Sequence, residues 1–129
     1  MNKILCLIII AGFLTSCGFV RDEEVDGKYH IFATDNYDEP CLGYEVNGSN
    51  YICLVPPKII SYYHSSDYIV VKRAYSKEQV GRVEYYVVPI VPESVEVFPE
   101  DIILGPLDAK EFKKQQFKLN LVDLNFTDI

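Results

Sequence analysis

The sequence has few of the residues on which catalytic and metal sites depend. It contains two histidines, His30 and His64, and has neither a glycine-rich phosphate loop nor a Gly-x-Ser-x-Gly nucleophile turn. A zinc site needs three or four ligands, and His64 with Asp67 offers two. Ser65 and Ser66 lie beside this pair, but residues so close in sequence rarely form the geometry of a catalytic triad. We therefore expect no catalytic residue, no metal site and no cofactor.

Basic residues are also scarce. Lysine and arginine together number 12 against 19 acidic residues, so the formal net charge is −7. A surface of this sign repels the phosphates of nucleic acids. We therefore expect no nucleic-acid partner.

Long apolar runs are absent except at the amino terminus. Residues 4–14 contain no charged residue and no amide, and Lys3 precedes them. Eleven residues span about 16 Å as a helix, whereas a membrane-spanning helix needs about 20 residues. A short apolar segment behind a positive residue is typical of a cleaved export signal.

The segment Leu14-Thr15-Ser16-Cys17, which ends this leader, resembles a lipobox, the processing site of bacterial lipoproteins. The resemblance implies that residues 1–16 are a signal peptide, that Cys17 carries a diacylglycerol, and that its new amino group is acylated as well. An ordinary secretory signal with a cysteine by chance is the alternative. The lipobox predicts a membrane partner through acyl chains on Cys17. It also predicts a location in the cell envelope, at the outer membrane or the extracytoplasmic face of the cell membrane. The mature chain would have 11 basic and 19 acidic residues.

Residues 17–27 are interpreted as a tether between the lipid and the domain. Their charge run, Arg21-Asp22-Glu23-Glu24, is typical of a solvated linker. It also resembles the short acidic sorting signals that send some Bacteroidetes lipoproteins to the outer surface. Both interpretations remain open at this point.

Processing would remove Cys6, and with Cys17 committed to the lipid two cysteines remain, Cys41 and Cys53. An even pair in an exported protein favours a disulfide, and a pair of free buried thiols is the alternative. Asn47-Gly48 lies between them and is a strong signal for a two-residue hairpin turn. A hairpin would return the two cysteines toward each other, so the turn and the disulfide agree.

Residues 28–129 predict one α+β domain with an antiparallel sheet of about five or six strands and one C-terminal helix. Asp108 and Glu111 have the spacing of a capping box, which predicts where the helix begins. The strands are expected at 28–34, on both sides of Asn47-Gly48, and at 58–63, 68–73 and 82–88. The helix should pack through Ala109, Phe112, Gln116 and Leu119, with Phe117 beside them, and the tail should dock through Leu121, Leu124 and Phe126.

The ten tyrosines are the main oddity of composition. Two adjacent pairs lie on predicted strands, so each pair should send one ring to each face of the sheet. Exposed rings would form a candidate binding surface for a protein or glycan; the alternative is that the helix and loops cover both faces. The four residues are Tyr62, Tyr63, Tyr85 and Tyr86.

Three segments resemble an uncharacterised family of small bacterial lipoproteins, which carries similar motifs in the same order behind a lipobox. Pro89 and Ile90 depart from that family's pattern. The family has no assigned activity, so the resemblance implies a lipoprotein and no chemistry. The segments are Tyr68-Ile69-Val70-Val71-Lys72-Arg73, Tyr85-Tyr86-Val87-Val88 and Gly105-Pro106-Leu107 with Glu111-Phe112.

The sequence therefore predicts a lipid-anchored, non-enzymatic envelope protein that binds another protein or an envelope polymer, or serves as a structural module. A small inhibitor or immunity-type lipoprotein is the second hypothesis, because an acidic compact domain suits that role. An envelope hydrolase is the third.

Overall fold

A computed structural model describes residues 19–48, 50–74, 81–92, 94–95 and 97–129. Within these residues the chain forms two antiparallel sheets and one C-terminal helix, which confirms the predicted α+β class. The sheets contain nine strands, more than the five or six expected from the sequence. In this part of the chain no helix is long and apolar enough to span a membrane.

The first sheet has four strands in chain order, β1-β2-β3-β4. The second has five strands in the order β8-β7-β6-β5-β9. The helix α1, Ala109–Lys118, follows β8, and a short 3-10 helix occupies Pro99–Asp101. The strands are β1 (Arg21–Asp26), β2 (Tyr29–Ala33), β3 (Cys41–Asn47), β4 (Asn50–Val55), β5 (Ile59–His64), β6 (Tyr68–Ala74), β7 (Val83–Pro89), β8 (Leu104–Leu107) and β9 (Thr127–Asp128).

Strand β1 occupies most of the segment that the sequence predicted to be a solvated tether. Arg21 pairs with Ala33, and Asp26 pairs with Tyr29 at the other end of the strand. Pairing continues to Val20, whose backbone N–H donates to the Ala33 carbonyl at 3.0 Å. The charge run fits this position because charged side chains on an edge strand discourage pairing with a further chain. The same pattern is therefore compatible with a linker and with an edge strand, and the structure shows the strand.

The predicted hairpin and disulfide are both present in the first sheet. Asn47 pairs with Asn50, and the turn begins at Gly48 (φ +57°), one residue later than predicted. Cys41 on β3 and Cys53 on β4 form a disulfide with Cα atoms 5.9 Å apart. A bridge that closes a loop of this length stabilises the fold by about 3 kcal/mol in the chain-entropy model.

The second sheet lies in the middle of three layers. On one side Ile69 and Val71 of β6 pack against the first sheet, in a core that includes Ile31 and Leu42. On the other side Val70 joins Val87, Phe112 and Leu121 beneath the helix. Because both faces of this sheet are covered, β6 and β7 contain continuous apolar runs, Tyr68–Val71 and Tyr85–Val88, rather than a strict alternation.

The helix begins as the sequence predicted. The Asp108 carboxylate accepts from the Glu111 N–H at 2.8 Å, and the Glu111 carboxylate accepts from the Asp108 N–H at 3.1 Å. Phe112 is buried on the second sheet, and the tail docks through Leu121, Leu124 and Phe126 as predicted. The prediction that Ala109 and Phe117 lie on the packed side of the helix was wrong, because both are exposed.

Two buried tyrosines make stability depend on alkaline pH. Burial raises the pKa of both Tyr29 and Tyr86 above the ordinary value of 10.0, so the fold favours the neutral phenol. Their contribution to stability is complete below that ordinary pKa and is lost as pH rises through the higher pKa of the folded state. Each group can reduce the free energy of unfolding by up to about 1.4 kcal/mol per pH unit.

We expect Tyr86→Phe to flatten this decline above about pH 10, measured by urea unfolding at each pH. Tyr37→Phe is the matched control, because Tyr37 is 53% exposed. An unchanged pH slope in Tyr86→Phe would show that the Tyr86 phenol is not responsible.

Candidate functional site

A cleft with apolar walls lies between the β3–β4 hairpin and the segment that precedes the 3-10 helix. Its volume is about 440 Å³. Of the nine exposed large hydrophobic residues among those described, four line it: Val46, Val95, Val97 and Phe98. Exposed apolar residues that gather at one concave site mark a binding surface, whereas scattered ones do not. The apolar cleft is lined by Lys28, Tyr44, Glu45, Val46, Ile52, Val95, Val97, Phe98, Pro99 and Glu100.

The wall that carries Phe98 is held by a buried proline and short turns. Pro99 is fully buried and begins the 3-10 helix, where its fixed φ suits the first turn. The Asp101 N–H donates to the Phe98 carbonyl at 3.0 Å, and the Val95 N–H donates to the Pro92 carbonyl at 3.0 Å. These bonds fix the backbone on both sides of Phe98, whose side chain is 69% exposed.

A smaller cavity of about 200 Å³ adjoins the apolar cleft. Lys28 and Tyr44 line both, and the Lys28 ammonium lies 5.9 Å from the centre of the Tyr44 ring. Tyr29 supports the far wall, because its hydroxyl accepts from the Val91 N–H at 3.1 Å and donates to the Pro89 carbonyl at 3.4 Å. The two cavities together favour an elongated ligand over a compact one.

The apolar cleft carries charges of both signs. Glu45 and Glu100 contribute carboxylates and Lys28 contributes the one ammonium. Glu45 lies 3.9 Å from the Nε2 atom of His30, and Lys28 forms no ion pair among the described residues. A ligand for this site therefore needs apolar groups for the walls and polar or charged groups near the rim.

A hydrogen-bonded network lies on the outer face of the first sheet and meets the apolar cleft where His30 faces Glu45. Asp22 contacts the Nδ1 atom of His30 at 2.8 Å and accepts from the Tyr51 hydroxyl at 3.0 Å. The rings of His30 and Tyr51 are stacked with centres 4.8 Å apart, and Phe19 stacks on Tyr51 at 4.9 Å. Desolvation raises the pKa of Tyr51, and the hydrogen bond to Asp22 raises it further, so the phenol stays protonated and donates. The network holds the start of β1 on the sheet.

The serine, histidine and aspartate residues near position 64 do not form a catalytic triad. His64 contacts Asp26 of β1 at 3.0 Å rather than Asp67. The Ser65 hydroxyl accepts from the backbone N–H groups of Tyr68 and Asp67 at 3.1 and 3.3 Å, so it holds the turn between β5 and β6. In the part of the chain that the structure describes, no three histidine, cysteine or acidic side chains are grouped to hold a metal ion.

The four paired tyrosines divide between the two faces of the second sheet. Tyr62 and Tyr86 pack in the core between the sheets, whereas Tyr63 and Tyr85 pack on the helix side. Tyr85 stacks on Phe112 with ring centres 4.4 Å apart, and Tyr86 is 7% exposed. Adjacent tyrosines therefore point to opposite faces of the sheet, as the sequence pattern predicted. Their packing favours the interpretation in which the helix and the first sheet cover both faces over the one in which the rings form an exposed binding surface.

Comparison with known proteins gives no match to a family model, a curated protein or a solved structure. The likeness to a family of small lipoproteins therefore stays a prediction. The lipobox also stays a prediction, because Cys17 lies outside the described residues. The function of the apolar cleft has to be inferred from its own geometry and charges.

Proposed function

We propose that the chain is a lipid-anchored, non-enzymatic protein of the bacterial cell envelope that binds an extended segment of another envelope protein. The observation that carries this proposal is the apolar cleft, where four of the nine exposed large hydrophobic residues of the described chain meet. Solvent-exposed apolar side chains gain most from being covered by a partner, because burial contributes about 25 cal/mol per Å².

The position of Phe19 supports a short connection to the lipid. Its ring stacks on Tyr51 and meets Phe32 edge-on, with centres 4.9 and 5.3 Å apart. Cys17 precedes Phe19 by two residues, a stretch that reaches at most about 7 Å. With the acyl chains on Cys17, the domain would be held close to the bilayer instead of at the end of a long tether.

The register of β1 would keep a lipid anchor on Cys17 apart from the apolar cleft. The strand starts beside Ala33 and ends beside Tyr29, a distance of about 17 Å for its six residues. The chain reaches the anchor from the first end, whereas Lys28 follows the second end and lines the cleft. An anchored domain would therefore present the cleft away from the membrane, where another envelope protein can reach it.

An extended protein segment suits the site better than a lipid or a sugar chain. The walls accept apolar side chains, and carboxylates and an ammonium at the rim can pair with charges on the same segment. Ile52 in the wall belongs to β4, an edge strand of the first sheet, and edge strands are where extended segments add. The net negative charge favours a segment with basic residues.

A photo-crosslinking residue, p-benzoylphenylalanine, at position 98 tests this proposal in cells. We expect a discrete protein adduct whose crosslinked peptides map to one segment. Val46→Asp should reduce its yield about tenfold, because it places a charge in the apolar wall. Position 60 is the matched control site, since Ile60 is exposed at 37% and does not line the cleft. The same adducts from positions 98 and 60, or a yield that Val46→Asp leaves unchanged, would contradict a specific cleft ligand.

A further inference from the structure

The outer face of α1 is basic in a protein that is otherwise acidic. The helix contains four lysines and one glutamate, whereas the whole chain has a net charge of −7. All four lysines are exposed, and none forms an ion pair among the described residues. Their ammonium groups are therefore available to an outside partner. The lysines are Lys110, Lys113, Lys114 and Lys118.

Two apolar side chains protrude beside these lysines. Phe117 is 91% exposed and Val122 is 65% exposed. Asn120, with φ +53°, ends the helix in the left-handed conformation, after which Leu121 turns into the core and Val122 turns outward. The helix end and the turn after it enclose a groove of about 510 Å³, which we call the helix patch. Its lining residues are Lys113, Gln116, Phe117, Asn120, Leu121 and Val122.

We infer that the helix patch binds an acidic segment of a partner protein that also carries apolar side chains. Charge complementarity points to an anionic occupant, since Lys113 lines the groove without an ion pair among the described residues and three more exposed lysines lie on the same helix. The apolar lining requires more than a charged polymer, because Phe117 and Val122 offer contact to an inserted side chain. This surface differs from the apolar cleft in place and in the charge of its ligand.

The layered fold favours a protein partner over an anionic bilayer. The helix packs on the face of the second sheet that is opposite the first sheet. Packed sheets are about 10 Å apart and a helix is about 10 Å across, so the helix patch lies about 20 Å from the outer face of the first sheet. Phe19, which leads to Cys17, lies on that outer face. The preference for a protein over a bilayer rests on the proposed lipid anchor. The preference for an anionic ligand does not, because it follows from the lysines of the helix.

The test places p-benzoylphenylalanine at position 117 of the full chain, reconstituted in vesicles of phosphatidylcholine and phosphatidylglycerol. A twelve-residue peptide of alternating glutamate and leucine is the probe. We expect a peptide adduct that Lys113→Glu reduces at least tenfold and Lys58→Glu leaves unchanged. Both substitutions change the charge equally at an exposed lysine, but only Lys113 lines the groove. Circular dichroism verifies that the variants are folded.

Each other outcome overturns the inference. An adduct to phospholipid instead of peptide would assign the helix patch to the membrane. A peptide adduct that is insensitive to Lys113→Glu would show that the peptide does not bind in the helix patch. Loss of the adduct in the cleft variant Val46→Asp would show that the peptide binds in the apolar cleft. The absence of any adduct would show that the helix patch does not bind an acidic segment. Flotation of the chain with the vesicles reports the lipid anchor separately, so the two proposals can fail independently.

Discussion

Phe112→Ala is expected to lower the free energy of unfolding by about 3–5 kcal/mol, the range for removing a buried phenyl ring. Phe112 is 6% exposed and packs with Val70, Val87 and Leu121 in the core beneath the helix. Its ring also stacks on Tyr85 with centres 4.4 Å apart. The substitution leaves a cavity at the place where α1 joins the second sheet. Urea unfolding, followed by tyrosine fluorescence because the chain has no tryptophan, measures the effect.

Phe117→Ala provides the matched control within the same helix. It removes the same ring from a position that is 91% exposed, so the free energy of unfolding should change by less than about 0.5 kcal/mol. A similar loss of stability in both variants would mean that the helix packs through a different face. A stable Phe117→Ala would show that folding does not depend on this exposed ring.

Cys17→Ser is expected to produce the other large effect, loss of processing and of membrane attachment. In the proposed lipoprotein the sulfur of Cys17 accepts the diacylglycerol, and a serine hydroxyl does not replace it. Each buried CH₂ contributes about 0.8 kcal/mol, so two long acyl chains contribute on the order of 20 kcal/mol to membrane binding. The variant should keep residues 1–16 and take up no labelled palmitate.

Cys6→Ser is the control for this substitution. Cys6 lies within the predicted signal peptide, so its loss should leave the processing and the palmitate labelling of the mature chain unchanged. Normal palmitate labelling of Cys17→Ser would locate the lipid on another residue, and equal effects of both substitutions would point to a general defect in export.

Sequence patterns predicted those parts of the fold that depend on local chemistry. Asn47-Gly48 indicated the hairpin, and Asp108 with Glu111 indicated the start of the helix, because each pattern satisfies backbone groups within a few residues. The charge run of β1 was interpreted as a linker, since a charged edge strand and a solvated tether have the same composition. The split into two sheets depends on packing between distant strands, as between Ile31 and Ile69, which no local pattern encodes.

The candidate site was harder to predict than the fold. The apolar cleft joins Tyr44 and Ile52 of one hairpin to Val97 and Phe98 of a segment more than 40 residues away. The Val-Phe-Pro sequence at 97–99 was the available signal, but a short apolar run before a proline is also typical of a buried strand end. The paired tyrosines predicted a binding surface because tyrosine is frequent in such surfaces, whereas Tyr85 stacks on Phe112 and Tyr86 is buried in the core between the sheets.

The proposed anchor, the apolar cleft and the helix patch lie on different parts of the molecule. In the proposed arrangement a lipid anchor on Cys17 would leave from the outer face of the first sheet, where Phe19 packs. The apolar cleft opens beyond the far end of β1, and the helix patch lies on the opposite side of the molecule. An acidic chain with one cleft for a basic segment and one basic patch for an acidic segment could hold two different partners at a membrane. The whole arrangement depends on where the mature chain begins.

Intact-mass and peptide mass spectrometry of the native protein, extracted from membranes, tests that point most directly. A chain that begins at Cys17 and carries a thioether-linked diacylglycerol, with or without an acylated amino group, is the expected result. A chain whose first residue is any other, or a Cys17 thiol without lipid, would contradict the anchor and the orientation that follows from it.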